Sequence, residues 1–443
     1  MRSRRVRGRK SSLGRSTAAL PAGRSFSPLD ERLRLGPEDY SPALVRKIVR
    51  QGGKDSFTEA SQELQEHENL EIGAQQVGRI TERVGEEWVA LRDREVEAYK
   101  RNELPRAYAE KPAAAAVMAD GGRLLTRADD QPPGAHAPAW RAPYYGCCLT
   151  LPARAGKEDP QPEPPQKFLD AARVPKLVQE VQSRAGVPRT GSGRSPAVSQ
   201  TPPRRRRGKN RLKKKGVGLI LRTVVATMAS AEEFGYMLAA EAYRRGLDLA
   251  AHKAFVGDGE ASNWSIYRFH FAPLGYVGIL DFLHLLTYLY SAAQALGGRP
   301  AERWERYERW LRWAWGGQRD KLLLALNAAA RKVGPAPKNA PENDPRSVVE
   351  AARRYVTNNA EHMDYPRYRK LGLPISSAPI ESVVKQFNRR VKGTEKFWLE
   401  AGAEAVLQVR AAYLSQDGRA ERYWNMPRPL YRAVGRNRLA LAA

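Results

Sequence analysis

Three apolar runs in this chain stop abruptly at an aspartate: Ala113 to Ala119 at Asp120, Ala254 to Gly257 at Asp258, and Tyr276 to Leu280 at Asp281. A fourth acid, Glu381, opens an amphipathic stretch whose other charges are all basic. An aspartate in such a place often does no more than cap a helix or turn the chain. Carboxylates gathered in one cleft, however, repel each other unless a cation sits among them, and oxygen-only ligands suit Mg²⁺ or Mn²⁺. Two such ions about 4 Å apart activate a water or a 3′-hydroxyl and steady the leaving oxygen of an in-line phosphodiester displacement. The surrounding Lys and Arg side chains would hold the rest of the polyanion.

The elements that must position these acids are legible in the pattern. Two short apolar runs separated by an amphipathic stretch of helical length, His252 to Leu280, read as a strand, a crossover helix and a parallel strand. Runs apolar on both faces belong in a covered sheet, whose functional groups collect at the carboxyl ends of the strands. Asp258 is therefore expected at a sheet edge facing a cleft. Trp140 to Leu151 and Val217 to Met228 are further strand candidates, and Phe168 to Ser183 reads as one helix. Ser230 with Glu233 forms a capping box at the start of a helix running to Arg245. His284 stands three residues beyond Asp281, at the start of a helix from Phe282 to Leu296. Residues 301 to 354 carry no strand signal, and their aromatic stripe (Trp304, Tyr307, Leu311, Ala314) is expected in a core.

Around Glu381, Ser377 reads as the helix N-cap, and Pro379 falls in the first turn, where its missing N–H does no harm. Ile380, Val383, Val384, Phe387 and Val391 form an apolar stripe. Lys385, Arg389, Arg390 and Lys392 take the other surface, as candidate DNA contacts. A helix from Ala401 to Leu414 closes the core, and the chain from Gln416 onward is expected to be irregular.

The chain has 75 Lys and Arg against 48 Asp and Glu, a formal charge of +27. That field concentrates polyanions, so nucleic acid is the first partner to expect. Arg204, Arg205, Arg206, Arg207, Lys213, Lys214 and Lys215 fall in a tract without an acid, a phosphate contact rather than a sequence reader. Between Tyr40 and Arg101, Ser56 and Glu59 make another capping box. The next helix carries Ile72, Val77, Ile80, Val84 and Trp88 on one side. It presents Gln75, Gln76 and Arg79, the pattern of a helix-turn-helix whose second helix enters the major groove. An ordinary helical bundle has the same local pattern.

Several function classes fall away. No apolar run approaches the roughly 20 residues of a membrane span, and no secretory signal follows the basic N-terminus. Cys147 and Cys148 are adjacent and badly placed for a stapling disulfide, which fits a reducing compartment. There is no paired-cysteine zinc motif, no Walker-type phosphate loop, hence no nucleotide cofactor, and no Gly-x-Ser-x-Gly elbow.

Taken together, ADGGR at Asp120, FVGDGEASNW at Asp258, ILDFLH at Asp281, LPISSAPIESVVKQFNRRVKGTEKFW at Glu381 and GAEAVLQVRAAYLS beyond it resemble the DDE transposases of bacterial insertion sequences. The resemblance is close to the ISKra group and more distant to the Mutator type, and it spans about residues 40 to 415. It implies an α/β fold: an RNase H-like mixed sheet with flanking helices, interrupted by an all-α insertion and preceded by a helix-turn-helix-like domain. Carried over position by position, Asp120, Asp258 and Glu381 are the metal ligands, holding two Mg²⁺ or Mn²⁺ ions. Asp281 and His284 match the acid-and-histidine motif that supports the site in Mutator-type enzymes. Where relatives carry an acid and a lysine after the first aspartate, this chain has Ala142 and Tyr144.

The implied organisation is a basic disordered tail over residues 1–38 and a helical DNA-binding domain over 39–105. The first part of the catalytic core covers 112–298, with a basic linker at 186–215. A helical insertion follows at 299–373, then core helices with Glu381 at 374–416, and a basic tail at 417–443. The implied activity is cleavage of element ends and joining of their 3′-hydroxyls to target DNA. Its partners would be terminal inverted repeats, target DNA and a second or further copy of the chain, in the bacterial cytoplasm at the nucleoid and away from any membrane. A catalytically inactive DNA-binding regulator and a metal-dependent nuclease are the alternatives.

Overall fold

The computed structural model describes residues 40–107, 111–127, 139–152, 154–184, 221–393 and 396–426, and the backbone of two short paired strands, Ala19–Leu20 and Arg24–Ser25. The linker 186–215, with Arg204 to Arg207 and Lys213 to Lys215, and most of both tails lie outside the described residues.

From residue 40 the described chain opens with three helices, α1 (Pro42–Gly52), α2 (Phe57–Glu68) and α3 (Ala74–Lys100). The Ser56 hydroxyl accepts the Glu59 N–H while the Glu59 carboxylate accepts the Ser56 N–H, so the capping box forms as the sequence predicts. Asn69 ends α2 in the left-handed region at φ 50°. Val45, Ile48, Leu64, Val77, Ile80 and Val84 bury the facing sides of the three helices.

Among the described residues the sheet has five strands: β1 (Ala114–Gly121), β2 (Tyr144–Leu151), β3 (Leu221–Thr227), β4 (His252–Gly257) and β5 (Val277–Leu280). Their order is β3-β2-β1-β4-β5, with β2 antiparallel to both neighbours and β4 and β5 parallel to β1. The run from Trp140 to Leu151 is not one strand. Pro143 lacks an N–H for a ladder, so the chain breaks there, and Ala139–Arg141 instead pairs with Leu124–Thr126 in a separate hairpin.

The remaining helices are α4 (Val174–Arg184), α5 (Ala231–Arg244), α6 (Ala261–Ile266), α7 (Phe282–Ala295), α8 (Pro300–Trp315), α9 (Arg319–Val333), α10 (Pro345–Asn359), α11 (Tyr365–Lys370), α12 (Ala378–Val391), α13 (Glu400–Leu414) and α14 (Arg419–Asn425). The single helix expected over Phe168 to Ser183 is split. The Asp170 carboxylate accepts the Ala172 and Arg173 N–H groups, a local turn that competes with helix, and α4 starts only after it.

Helices α5 and α12 cover opposite faces of the sheet. A Cβ at Gly146 would stand 2.6 Å from Leu238 of α5, whereas the Tyr145 ring packs on Phe387 of α12 with centroids 4.8 Å apart. Successive strand residues point to opposite faces, so these two contacts fix the layers. Tyr307, Leu311 and Ala314 of α8 are buried, as their stripe predicts, with Trp304 at its start only partly so, and Trp310 and Trp315 join them.

The chain beyond Gln416 is more ordered than its composition suggests. The Asp417 side chain is fully buried and accepts from the guanidinium groups of Arg419, Arg422 and Arg244, which anchors α14. Those arginines hold its carboxyl well below the usual range despite burial. An isolated basic tract has no reason to order, but one with a buried acid partner does. Among the described residues no helix is long and apolar enough to cross a membrane.

Candidate active site

The carboxyl edge of the sheet collects the three aspartates in one row. The register Met118 to Val256, carried two residues further, sets Asp120 level with Asp258. The register Val256 to Ile279, carried two residues further, sets Asp258 level with Asp281. The Asp281 N–H donates to Gly257 O at 2.8 Å, which holds that level. Asp120 is also paired in register with Tyr145, the residue that packs on Phe387, so its side chain faces α12. Glu381 lies in the first turn of α12, partly exposed.

The electrostatics agree with the layout. Burial, then the charge of Asp258, push the Asp120 carboxyl up to about 8; His284 opposes them, and Glu381 adds a lesser upward push. Asp120, Asp258 and Glu381 thus share one field. Among the described residues, however, no group of three or more His, Cys, Asp or Glu side chains converges as a metal-holding cluster.

Asp258 is held by its own turn. Its Oδ1 accepts the Glu260 N–H at 3.1 Å and Asn263 Nδ2 at 2.9 Å, and its backbone carbonyl accepts the Tyr355 hydroxyl at 2.6 Å. Gly259 sits at φ +97°, and a Cβ there would meet Tyr355 at 2.8 Å. Both the backbone and the space therefore demand glycine in the GDG turn. Sequence reasoning misses Asn263 and Tyr355. Asn263 lies in the FVGDGEASNW block, but nothing local marks Tyr355, which arrives from α10.

Asp281 has a different task. Its buried carboxylate caps α7 through the Leu283 N–H at 2.9 Å, accepts from His284 Nδ1 at 2.7 Å, and accepts from the Ser377 hydroxyl at 2.5 Å. Burial alone would raise its pKa, but the bonds from His284 and Ser377 hold it below the usual carboxylate range. His284 is correspondingly pushed up to about 9: burial opposes its charge, and Asp281, Asp258 and Asp120 outweigh that. Ser377 precedes α12 as expected, yet its hydroxyl caps no helical N–H and serves Asp281 instead.

The basic candidates divide. Lys385 and Arg389 are exposed on α12 and Lys392 just past its end, and Gln75 and Arg79 are exposed on α3 with Gln76 partly so. Arg390 is not on that surface. It is buried, with Nε donating to Gly52 O at 2.8 Å and the guanidinium 4.5 Å from the Phe57 ring centroid and 4.9 Å from that of Trp398. Burial lowers its pKa to about 10, which still leaves it charged at neutral pH. Helical periodicity puts Arg390 opposite the sheet, but α1 and α2 cover that side.

No protein-family model matches the chain, and no curated protein matches it significantly.

Proposed function

We propose that this chain is a DDE transposase with an RNase H-like core, in which Asp120, Asp258 and Glu381 hold Mg²⁺ or Mn²⁺ at the carboxyl edge of the sheet. The observation that carries this is the shared row: acids from distant parts of the chain stand level on adjacent strands, beneath the helix that bears Glu381. The strand order β3-β2-β1-β4-β5 with an antiparallel β2 supports it, being the order of an RNase H-like sheet.

The donor set fits a hard divalent cation. All three groups offer oxygen only, and the repulsion from Asp258 and Glu381 that adds to burial in raising Asp120 is what a cation between them relieves. When bound, such ions supply Lewis acidity to the attacking and leaving oxygens of a phosphodiester. The chain's own residues do the rest. Asn263 and the Glu260 N–H orient Asp258, and the Asp281–Ser377 bond ties the start of α12, and so Glu381, to the sheet edge. Lys385, Arg389 and Lys392 grip the DNA backbone, while Gln75, Gln76 and Arg79 read the terminal inverted repeats. Two ends processed together call for at least a dimer.

A second reading, a DNA-binding regulator without catalysis, is favoured by one observation: the carboxylates do not converge as a ligand cluster among the described residues. The two are separated with a plasmid carrying the element ends, incubated with Mg²⁺. A transposase nicks at the ends and joins them to target; Asp258→Asn and Glu381→Gln bring both reactions to background while DNA affinity stays within about twofold. Cleavage by either variant overturns the site assignment. End binding without cleavage by the unaltered chain establishes the regulator, and cutting without joining establishes a nuclease.

A further inference from the structure

Beyond the acids lies a small two-stranded patch, extended by a single bridge to Trp398, whose outer face takes no part in the proposed chemistry. Leu124–Thr126 pairs with Ala139–Arg141, setting Leu125 opposite Trp140. On its other side Thr126 bridges Trp398 in parallel, with Trp398 N–H donating to Leu125 O at 3.2 Å and Arg127 N–H to Trp398 O at 2.9 Å. That bridge sets Leu125 level with Phe397. Residues level across a ladder point to one side, so Trp140, Leu125 and Phe397 form a single row on one face. Thr126 and Trp398 turn to the other face and are buried.

Leu125 is covered, but Trp140 is 55% exposed and Phe397 52% exposed on either side of it. At the usual strand spacing the two outer backbones lie about 10 Å apart. Arg123 and Arg127, two residues either side of Leu125 and so on its face by alternation, are exposed, and among the described residues neither makes an ion pair. Leu125, at the centre of the row, is five residues after Asp120, so its backbone lies within about 17 Å of it even along a fully extended chain, with Trp140 and Phe397 one strand spacing of about 4.8 Å to either side.

We infer that Trp140 and Phe397 are a stacking platform for unpaired DNA bases beside the acid row. Exposed aromatic faces flanked by two arginines outside any ion pair complement a strand with accessible bases and a charged backbone, because every base offers a π-face and every linkage a negative charge. In a duplex the bases are already stacked on each other, so the platform acts on the single-stranded end that cleavage exposes. This deepens the transposase reading and rests on it for the polyanion's identity.

The test uses the full chain in EDTA, where nothing is cut. It measures by anisotropy the binding of a short fluorescent single strand and of the same sequence as duplex. The doubly substituted Trp140→Ala, Phe397→Ala chain should bind the single strand about tenfold or more weakly and the duplex less than about twofold more weakly. Trp140→Tyr with Phe397→Tyr, which keeps both rings, should retain single-strand binding. Circular dichroism melting checks that each variant is folded, and the tyrosine pair decides if the alanine pair is not.

Equal weakening on both DNA forms, no weakening, or a tyrosine variant as weak as the alanine one would overturn the platform. So would a change in sedimentation of the DNA-free alanine variant, which would assign the face to a second copy of the chain. If the unaltered chain cleaves with Mg²⁺ but single-strand binding ignores both rings, only the platform fails. If it never cleaves yet binding depends on the rings, the platform stands and the catalytic reading fails. Failure to bind either DNA form overturns both.

Discussion

At the level of single residues, the acid row is costly to hold together, and the cost has a sign that can be measured. Asp120 is raised from 3.8 to about 8, so the folded chain keeps a proton there that the unfolded chain has released. Stability in EDTA therefore falls as pH rises between those values. Asp120→Asn removes that liability and should stabilise the metal-free chain at pH 8 by about 1–2 kcal/mol, discounted for the partial exposure of the site. A thermal melt in EDTA showing no gain at pH 8, or an equal gain at pH 4, would contradict this. His284 also has its folded value raised, from 6.5 to about 9. Its contribution is complete below the first figure and gone above the second, on the order of 1–3 kcal/mol given its 23% exposed side chain. His284→Ala should flatten the decline of melting temperature between pH 6.5 and 9; an unchanged slope would place the titrating group elsewhere. The sequence marks Asp281 and His284 as a pair only through the resemblance to the acid-and-histidine motif of Mutator-type enzymes. It carries no sign that Ser377, from another element, completes their hydrogen bonding.

At the level of elements, what is legible follows from local rules and what is not comes from packing. The two serine–glutamate capping boxes, the parallel β4 and β5, and the apolar stripe of α12 depend on residues within a turn or a strand of one another. Arg390 and α14 depend on elements that arrive from far along the chain, and no periodicity reports those. The same holds for α3, which a helix-turn-helix pattern presents as part of a separate reader. In the fold it lies along α13: a Cβ at Gly85 would stand 2.3 Å from Ala405 O and 2.7 Å from Ala405 Cα. Backbone atoms cannot step aside as a flexible side chain does. Gly85→Ala should therefore push α3 off α13 and cost about 1–3 kcal/mol or more, despite alanine's better helix propensity. Gly73→Ala is the control, since nothing lies within 4 Å of a Cβ there. Chemical denaturation reads both; equal midpoints for the two variants would mean that the helices are not in contact.

At the level of the whole molecule, the +27 charge is unevenly used. Many arginines in the folded region are spent internally: Arg244, Arg419 and Arg422 on Asp417 and Glu241, Arg369 on Asp159, Arg106 on Asp248, and Arg390 on a carbonyl and two rings. These cations cannot also neutralise phosphate. The tract from Arg204 to Lys215, by contrast, has no acid within it to compete. If it grips DNA, its removal should change the salt dependence of binding more than the shape of the folded region. Every phosphate that the protein no longer neutralises lowers the slope of log K against log salt by about 0.9 on duplex DNA. Deleting residues 204–215 should therefore flatten that slope between about 50 and 200 mM salt and weaken binding most at the lower concentration. Anisotropy titrations of the full and deleted chains give both slopes. A flattened slope with an unchanged melting temperature makes the tract a phosphate clamp. Identical slopes would make it a solvated linker and leave the DNA backbone to the exposed faces of α12 and α3.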